Sequence, residues 1–313
     1  MKVKTIYLAA TIIIGLSGLT TAGMSPYSDF AVEVVEYSGS FGPAPYDDPT
    51  AVLGKPTTRF TNLPGWAQET SRAKLVEAVY NVDLDNNKVV TTIGFDEYIV
   101  VKFDHKVVDY PGNPYGQDLI VFGNAFFGGG TADDTTNMNT YLVSGTVNQE
   151  PVSIAVSQDG FTWYEFSDGP YADGYFPTQA YDWNRETAEW ADQEMDFTRP
   201  VDPNLTFADF ANVSAADAID LYDGSGGGTP FDLRDLLDYD ELAVDPNSGF
   251  RWIQYVKLTS DSDGEVDAVA DVAVCGDPTH PYPAGDITKD CRVDLWDLSI
   301  LAGSWLECTY KCE

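Results

Sequence analysis

Hydrophobic and polar positions alternate with a period of two in many short segments between residues 30 and 274, and these segments are rich in β-branched and aromatic residues. Such alternation is typical of β-strands that bury one face. An Asp-Gly pair within 157–160 predicts a hairpin turn. The pattern therefore predicts a mainly β fold, an antiparallel β-sandwich of jelly-roll type. The predicted strands are 30–37, 74–80, 98–103, 118–123, 152–157, 162–166, 252–259 and 266–274.

Residues 168–249 interrupt this alternation with a stretch rich in Asp, Gly, Pro and aromatic residues. Two helices are predicted within it. One spans 214–222, with Ser214 as N-cap and Asp217 in the capping-box position, and the other spans about 233–242. We expect a long, partly helical insertion between two sandwich strands. It either carries a binding site or serves as a structural lid.

The N-terminal residues have the composition of an export signal. Lys2 and Lys4 precede an apolar stretch over 6–19, and Thr-Thr-Ala at 20–22 offers a small-residue cleavage site. This arrangement predicts a signal peptide over 1–22, whereas a membrane anchor would need a longer apolar stretch. After cleavage the protein is expected to be secreted or held at the cell surface, without spanning the membrane.

The balance of acidic and basic residues excludes one class of function and favours another. The chain has 50 acidic and 17 basic residues, a formal net charge of −33, and 36 of the acidic residues are Asp. Nucleic-acid binding is excluded as a function class because phosphate contacts need clustered Lys and Arg. An excess of Asp suits turns and calcium ligation. The two histidines, His105 and His280, lie far apart in sequence, so no His-rich zinc site is predicted.

All four cysteines lie in the last 39 residues, after a main body that must be stabilised by its own core. In an exported chain they predict disulfides, and three pairings are possible. Cys291 and Cys308 would lie at opposite ends of a predicted helix, too far apart to bond. This favours the pairs Cys275–Cys291 and Cys308–Cys312.

The C-terminal segment has the spacing of a twelve-residue calcium loop that starts at Asp286. Oxygen donors recur at alternating positions, and apolar residues at helical spacing follow. Position 7 contributes a backbone carbonyl, so an arginine is allowed there. The expected ligands are Asp286, Thr288, Asp290, Arg292 (by its backbone), Asp294 and Asp297.

Residues 285–306 resemble one half of a type I dockerin, the calcium-binding docking module of bacterial polysaccharide-degrading systems. The resemblance includes Asp297 at position 12 and the lack of an entering helix. The chain departs from dockerins in having one copy, Cys291 at the usual glycine position, and Leu295 and Trp296 at the recognition positions. Similar single loops occur on exported proteins of planctomycete-type bacteria. The resemblance implies calcium as a cofactor and a cohesin-like or other surface protein as a partner.

The chain is thus divided into a signal peptide (1–22), a β-sandwich domain (24–275), a Pro-rich linker (276–284) and a dockerin-like loop and helix (285–313). Segments 46–56, 117–126, 156–164 and 265–271 of the sandwich resemble uncharacterised bacterial cell-surface proteins and, more loosely, discoidin-like galactose-binding sandwiches. In the latter a calcium ion often joins the N-terminal loop to the last strand. By that resemblance the candidate calcium ligands of the body are Asp47, Asp48, Asp261, Asp263, Glu265 and Asp267. The alternative for these residues is a solvated acidic turn.

Aromatic residues are concentrated in and just before the insertion, where they offer faces on which sugars stack while carboxylates take the hydroxyls. Core packing is the alternative for each ring. The candidate ligand-binding residues are Trp163, Tyr164, Tyr171, Tyr175, Asp182, Trp183 and Trp190.

No catalytic motif stands out: the chain has no G-x-S-x-G elbow, no P-loop and no dinucleotide fingerprint. The sequence therefore favours a secreted, non-catalytic protein that binds a polysaccharide or surface glycan and uses its calcium tail for attachment or assembly. Two alternatives stay open. One is a structural matrix or surface-layer protein assembled through calcium, and the other is a polysaccharide-active hydrolase or lyase.

Overall fold

The computed structural model of the chain describes residues 27–61, 70–130, 132–167 and 169–305. Its contacts separate a body, Ser25–Pro281, from a second compact unit to which the tail from Tyr282 belongs. The predicted signal peptide (1–22) and the pair Cys308–Cys312 lie outside the described residues. Cys275 and Cys291 form a disulfide, which confirms the first of the two favoured pairings.

Short strands make up most of the regular structure. Within the described residues the strands are β1 (Glu33–Ser38), β2 (Arg59–Thr61), β3 (Thr70–Arg72), β4 (Thr91–Ile93), β5 (Tyr98–Val108), β6 (Leu119–Gly123), β7 (Phe126–Phe127), β8 (Val147–Asn148), β9 (Ser153–Ser157), β10 (Tyr164–Glu165), β11 (Tyr181–Asn184), β12 (Glu189–Glu194), β13 (Thr229–Phe231), β14 (Trp252–Thr259) and β15 (Gly264–Asp271). The α-helices there are α1 (Phe207–Phe210), α2 (Ala215–Leu221) and α3 (Leu295–Gly303).

Two antiparallel sheets form the centre of the body. One has the strand order β1-β5-β14-β9-β10 and the other the order β13-β6-β15-β4. Alternate residues of their strands share one core between the sheets, which is the arrangement of a β-sandwich. The mainly β, antiparallel sandwich predicted from the alternation is therefore confirmed. This core includes Ile99, Val101, Phe103, Leu119, Val121, Ile154, Val156, Val256, Leu258, Val266 and Val269.

The four-stranded sheet is buried on its second face as well. There Ile120 and Phe122 of β6 pack with Ala268 and Ala270 of β15 in a separate core, which also contains Phe60 of β2 and Tyr181 of β11. All five residues of β6 are consequently buried. This explains why segment 119–122 is a continuous apolar run rather than an alternating one.

The insertion builds a third core and is partly helical, as predicted. Helix α2 begins after Ser214, whose side chain accepts a hydrogen bond from the backbone N–H of Asp217. The second predicted helix is absent as such, because the segment forms two 3₁₀ turns, Leu233–Asp235 and Tyr239–Glu241. The insertion also contributes β13, which forms one edge of the four-stranded sheet. Part of the insertion therefore belongs to the sandwich itself.

The predicted strand over 74–80 is wrong. The chain turns there, with the N–H of Glu77 bonded to the carbonyl of Lys74. The apolar residues of this segment are buried for another reason: Leu75 and Val76 pack in the third core, while Val79 packs in the core beneath the four-stranded sheet. Apolar residues in a turn can thus resemble those of a strand because two different cores receive their side chains.

Candidate functional site

The tail loop closes on itself through its two terminal carboxylates. Asp286 accepts hydrogen bonds from the backbone N–H groups of Lys289 at 2.7 Å and Cys291 at 2.8 Å. The Thr288 hydroxyl lies 3.2 Å from a carboxylate oxygen of both Asp286 and Asp297. Positions 1, 3 and 12 of the predicted loop therefore converge, as a hard cation with oxygen ligands requires.

Asp297 is the most strongly held carboxylate of the tail. It accepts from the backbone N–H groups of Asp294 at 2.8 Å, Thr288 at 3.0 Å and Ile287 at 2.7 Å. These donors lower the pKa of Asp297 to about 2, so the side chain is ionised at neutral pH. Cys291 adopts the left-handed φ of 68° that calcium loops usually assign to glycine. Asp290 accepts from the N–H of Arg292, and Asp294 caps α3.

The six candidate calcium ligands of the body do not form one group. Asp47 pairs with Lys88 at 2.7 Å, and Asp48 accepts from the N–H and hydroxyl of Thr50. Asp267 is buried and accepts from the N–H and hydroxyl of Thr57, both at 2.8 Å. Asp48 and Asp267 do line one cavity of about 500 Å³, but two lysines, Lys55 and Lys88, line it too. Their ammonium groups already supply positive charge there.

Glu265 belongs to a different cluster, which we call the acidic group and which consists of Glu150, Asp173, Asp263 and Glu265. Burial, followed by the charges of Glu265 and Asp263, raises the pKa of Glu150. Burial also raises the pKa of Asp173 well above its usual range, and Glu150 and Glu265 add to the effect. None of the four forms an ion pair with a Lys, Arg or His of the described chain. Asp261 is exposed on the preceding turn.

Asp173 is the anchor of the acidic group. It is 2% exposed, has a positive φ of 49°, and accepts from the N–H of Ala125 at 2.7 Å. Its side chain lies against the end of β6, because a Cβ at Gly123 would be 2.2 Å from its carboxylate oxygen. Glu265 accepts from Thr92 and from the Asn124 amide. Glu150 and Asp173 are not among the calcium ligands expected from the sequence, because no local motif connects them with Asp263 and Glu265.

Two of the predicted aromatic residues, Tyr171 and Tyr175, line a cavity of about 400 Å³ that we call the aromatic cavity. Gln149 and Gly174, the chain neighbours of Glu150 and Asp173, line it too, whereas the four residues of the acidic group do not. The lining is completed by apolar residues and a few polar groups, namely Gln117, Pro151, Pro170, Phe176, Pro203, Thr229, Pro230 and Asp235.

The other five candidate ligand-binding residues lie elsewhere. Trp183 and Trp190 pack edge to face, 5.0 Å apart, between β11 and β12, and both contact the third core. Asp182 accepts from the N–H of Trp183. Trp163 lies near the Lys257 ammonium, and Tyr164 packs against the inter-sheet core. Core packing, the alternative reading, therefore holds for Trp183 and Trp190.

Both histidines lie beside one carboxylate, Asp271, although they are far apart in sequence. His105 Nε2 is 2.8 Å from Asp271 and its Nδ1 is 2.9 Å from Asp104. His280 Nε2 is 2.8 Å from Asp29, and its Nδ1 faces Asp277. Burial opposes protonation of both rings, but the carboxylates outweigh it. They raise the pKa of His105 and bring that of His280 to about 10.

Comparison with known proteins gives no family: no family model matches the chain, and no curated protein matches it. Within the described residues no helix has the length and apolar character needed to cross a membrane.

Proposed function

We propose that this protein is exported and binds a carbohydrate, a polysaccharide or surface glycan, in the aromatic cavity, without catalysing a reaction on it. Calcium bound by the tail loop and by the acidic group stabilises the protein. The dockerin-like tail attaches it to a cohesin-like or other surface protein.

The aromatic cavity is the observation that carries the proposal. Its volume of about 400 Å³ lies within the usual range for small-ligand sites. Tyr171 is 41% exposed, so its ring is accessible to a ligand. Sugars present C–H groups to such rings and hydroxyls to amides and carboxylates, and Gln117, Gln149 and Asp235 supply those here.

A glycan array followed by isothermal titration calorimetry on the full chain tests carbohydrate binding. We expect Tyr171→Ala to weaken binding of the selected glycan about tenfold or more, which is about 1.4 kcal/mol. Tyr37→Ala is the matched control, because Tyr37 is an exposed tyrosine on β1 that does not line the cavity. Equal loss in both variants, or no binding glycan, would overturn the proposal.

Calcium binding has support from the chemistry of its donors. In the acidic group, burial and then the charges of neighbouring carboxylates raise the pKa of Glu150 and Asp173. Within the described part of the chain, none of the four residues forms an ion pair with a Lys, Arg or His. A cation would relieve their repulsion. In the tail, Asp286, Thr288 and Asp297 would contribute the converging oxygens.

Calcium titration of the full chain and two variants separates the sites. We expect Asp297→Asn to remove the tail site and Glu265→Gln to weaken the body site, so each variant loses a different part of the heat signal. Glu189→Gln, an exposed glutamate on β12, is the control. A wild-type chain that takes up no calcium at millimolar concentration contradicts this part of the proposal, and leaves the glycan measurement unaffected.

A further inference from the structure

We propose that Asp271, Asp277 and His280 form a site for a borderline divalent cation of the zinc class. One carboxylate oxygen from each aspartate and a ring nitrogen of His280 all lie within 4.8 Å of one another. Asp271 ends β15, and the other two residues follow it within the body. This site is separate from the tail loop and from the acidic group.

Asp277 is preorganised to present one oxygen to His280. Its Oδ1 accepts from the N–H groups of Thr279 at 2.6 Å and His280 at 2.7 Å, and from the Thr279 hydroxyl at 2.8 Å. Its Oδ2 lies 3.2 Å from His280 Nδ1. Asp271 and Asp277 are 4% and 3% exposed, so water competes little for them. We therefore assign His280 Nδ1 and Asp277 Oδ2 as ligands.

The groups that hold these ligands in orientation are also in place. His280 Nε2, the nitrogen not used for the metal, faces Asp29 at 2.8 Å. Asp271 is held from behind by His105 Nε2 at 2.8 Å, and His105 is itself held by Asp104 at 2.9 Å. Metal-binding histidines commonly donate their second N–H to a carboxylate, and metal-binding carboxylates are themselves hydrogen-bonded.

The donor set selects the class of ion. One imidazole and two carboxylates suit Zn²⁺ and similar divalent transition metals, whereas Ca²⁺ takes oxygen ligands alone. A cavity of about 620 Å³ lies beside this region and is lined by His105, the partner of Asp271, and by Pro278 and Thr279, the chain neighbours of Asp277 and His280. With water as a fourth ligand, the coordination would fit the three-protein-ligand pattern of zinc sites.

The test uses the full chain, stripped with a chelator, dialysed, and loaded with Zn²⁺ in the presence of excess Ca²⁺ to saturate the hard-oxygen sites. We expect one Zn²⁺ per chain by elemental analysis after desalting. His280→Gln should abolish retention, and His105→Gln should weaken Zn²⁺ affinity about 10- to 100-fold, as loss of an orienting partner does. Asp297→Asn in the tail loop should retain one ion.

Two further measurements keep the outcome decisive. Co²⁺ added to the wild-type chain should give visible absorption bands of a low-coordinate site, which requires no variant to fold. The double variant Cys308→Ser/Cys312→Ser should still bind one ion, because the proposed ligands include no thiol. A wild-type chain that retains no Zn²⁺ overturns the inference. So does retention that survives His280→Gln in a folded protein, or that disappears with the two cysteines.

Discussion

Asp267 shows how strongly a single buried carboxylate can depend on pH. Its hydrogen-bond partners are the N–H and hydroxyl of Thr57, and Lys55, Lys88, Asp48 and Asp83 line the cavity it borders. Burial raises the pKa of Asp267 to about 7, and the bonds from Thr57 only partly offset that effect. The folded chain thus holds a proton that the unfolded chain, with a carboxyl pKa of about 3.9, releases earlier.

The pKa shift of Asp267 predicts a specific pH dependence. Because the folded-state pKa lies above the unfolded value, this residue's contribution to stability is present below pH about 4 and is lost as pH rises through about 7. We expect the free energy of unfolding of the wild type to fall relative to that of Asp267→Asn over this interval, by at most about 4 kcal/mol. Urea unfolding of both proteins at pH 4, 5.5 and 8 checks this. Parallel pH profiles would show that Asp267 is not protonated in the fold.

Strands that are buried to different extents have different patterns of apolar and polar residues in the sequence. Strand β6 is covered on both faces and has no exposed position, whereas β1 lies at a sheet edge and five of its six residues are exposed. The alternation identifies strands with one solvated face, and a continuous apolar run identifies a strand between two cores. A core substitution in β6 should therefore cost far more than one in β1.

The contrast between these strands is testable by truncation. We expect Phe122→Ala in β6 to lower the free energy of unfolding by about 3–5 kcal/mol, since it leaves a cavity in the core beneath the four-stranded sheet. Val35→Ala on β1, where the side chain is exposed, should change it by about 0.5 kcal/mol or less. Denaturant unfolding measures both. Similar losses in the two variants would mean that the second face of β6 is not packed.

A substitution at the N-terminus of helix α2 should have a smaller effect on the free energy of unfolding than one in β6. Ser214→Ala removes the acceptor for the Asp217 N–H and should cost about 1 kcal/mol. Ser38→Ala, at the exposed end of β1, is the control. A melting temperature unchanged by Ser214→Ala would contradict the assignment of Ser214 as the helix N-cap.

At the scale of the whole molecule, the formal net charge of −33 destabilises the folded state, because the many negative charges repel one another. Salt screens such repulsion over a Debye length of about 10 Å at 0.1 M and less at higher concentration. We expect the melting temperature of the chelator-treated full chain to rise between 0.02 and 0.5 M NaCl, in buffer without divalent ions. A melting temperature that falls over this range would indicate that ion pairs outweigh the net repulsion.

The sandwich could be predicted because alternation, apolar runs and turn residues are local properties of strands. The tail loop could be predicted for the same reason, since Asp286 to Asp297 lie within twelve consecutive residues. Of the acidic group, Asp263 and Glu265 could be named from the sequence, but Glu150 and Asp173 could not, because they come from separate loops. The proposed site at Asp271, Asp277 and His280 could not be predicted either, because its supporting residues come from separate strands and loops. His105 and His280 both lie beside Asp271 only once β5 and β15 are folded into their sheets. The spacing of these residues along the chain does not indicate this proximity.

Strand β14 lies in the interior of the five-stranded sheet, and β15 lies in the interior of the four-stranded sheet. Both are nevertheless the last strands of the described body. Without β14 the five-stranded sheet falls into two separate pairs, and without β15 strand β4 has no partner. A chain emerging N-terminus first therefore cannot complete the five-stranded sheet until residue 259 is available, or the four-stranded sheet until residue 271 is available. Such late, non-local pairing makes folding slow. If the chain is exported as proposed above, this delay leaves it time to cross a membrane before it becomes compact.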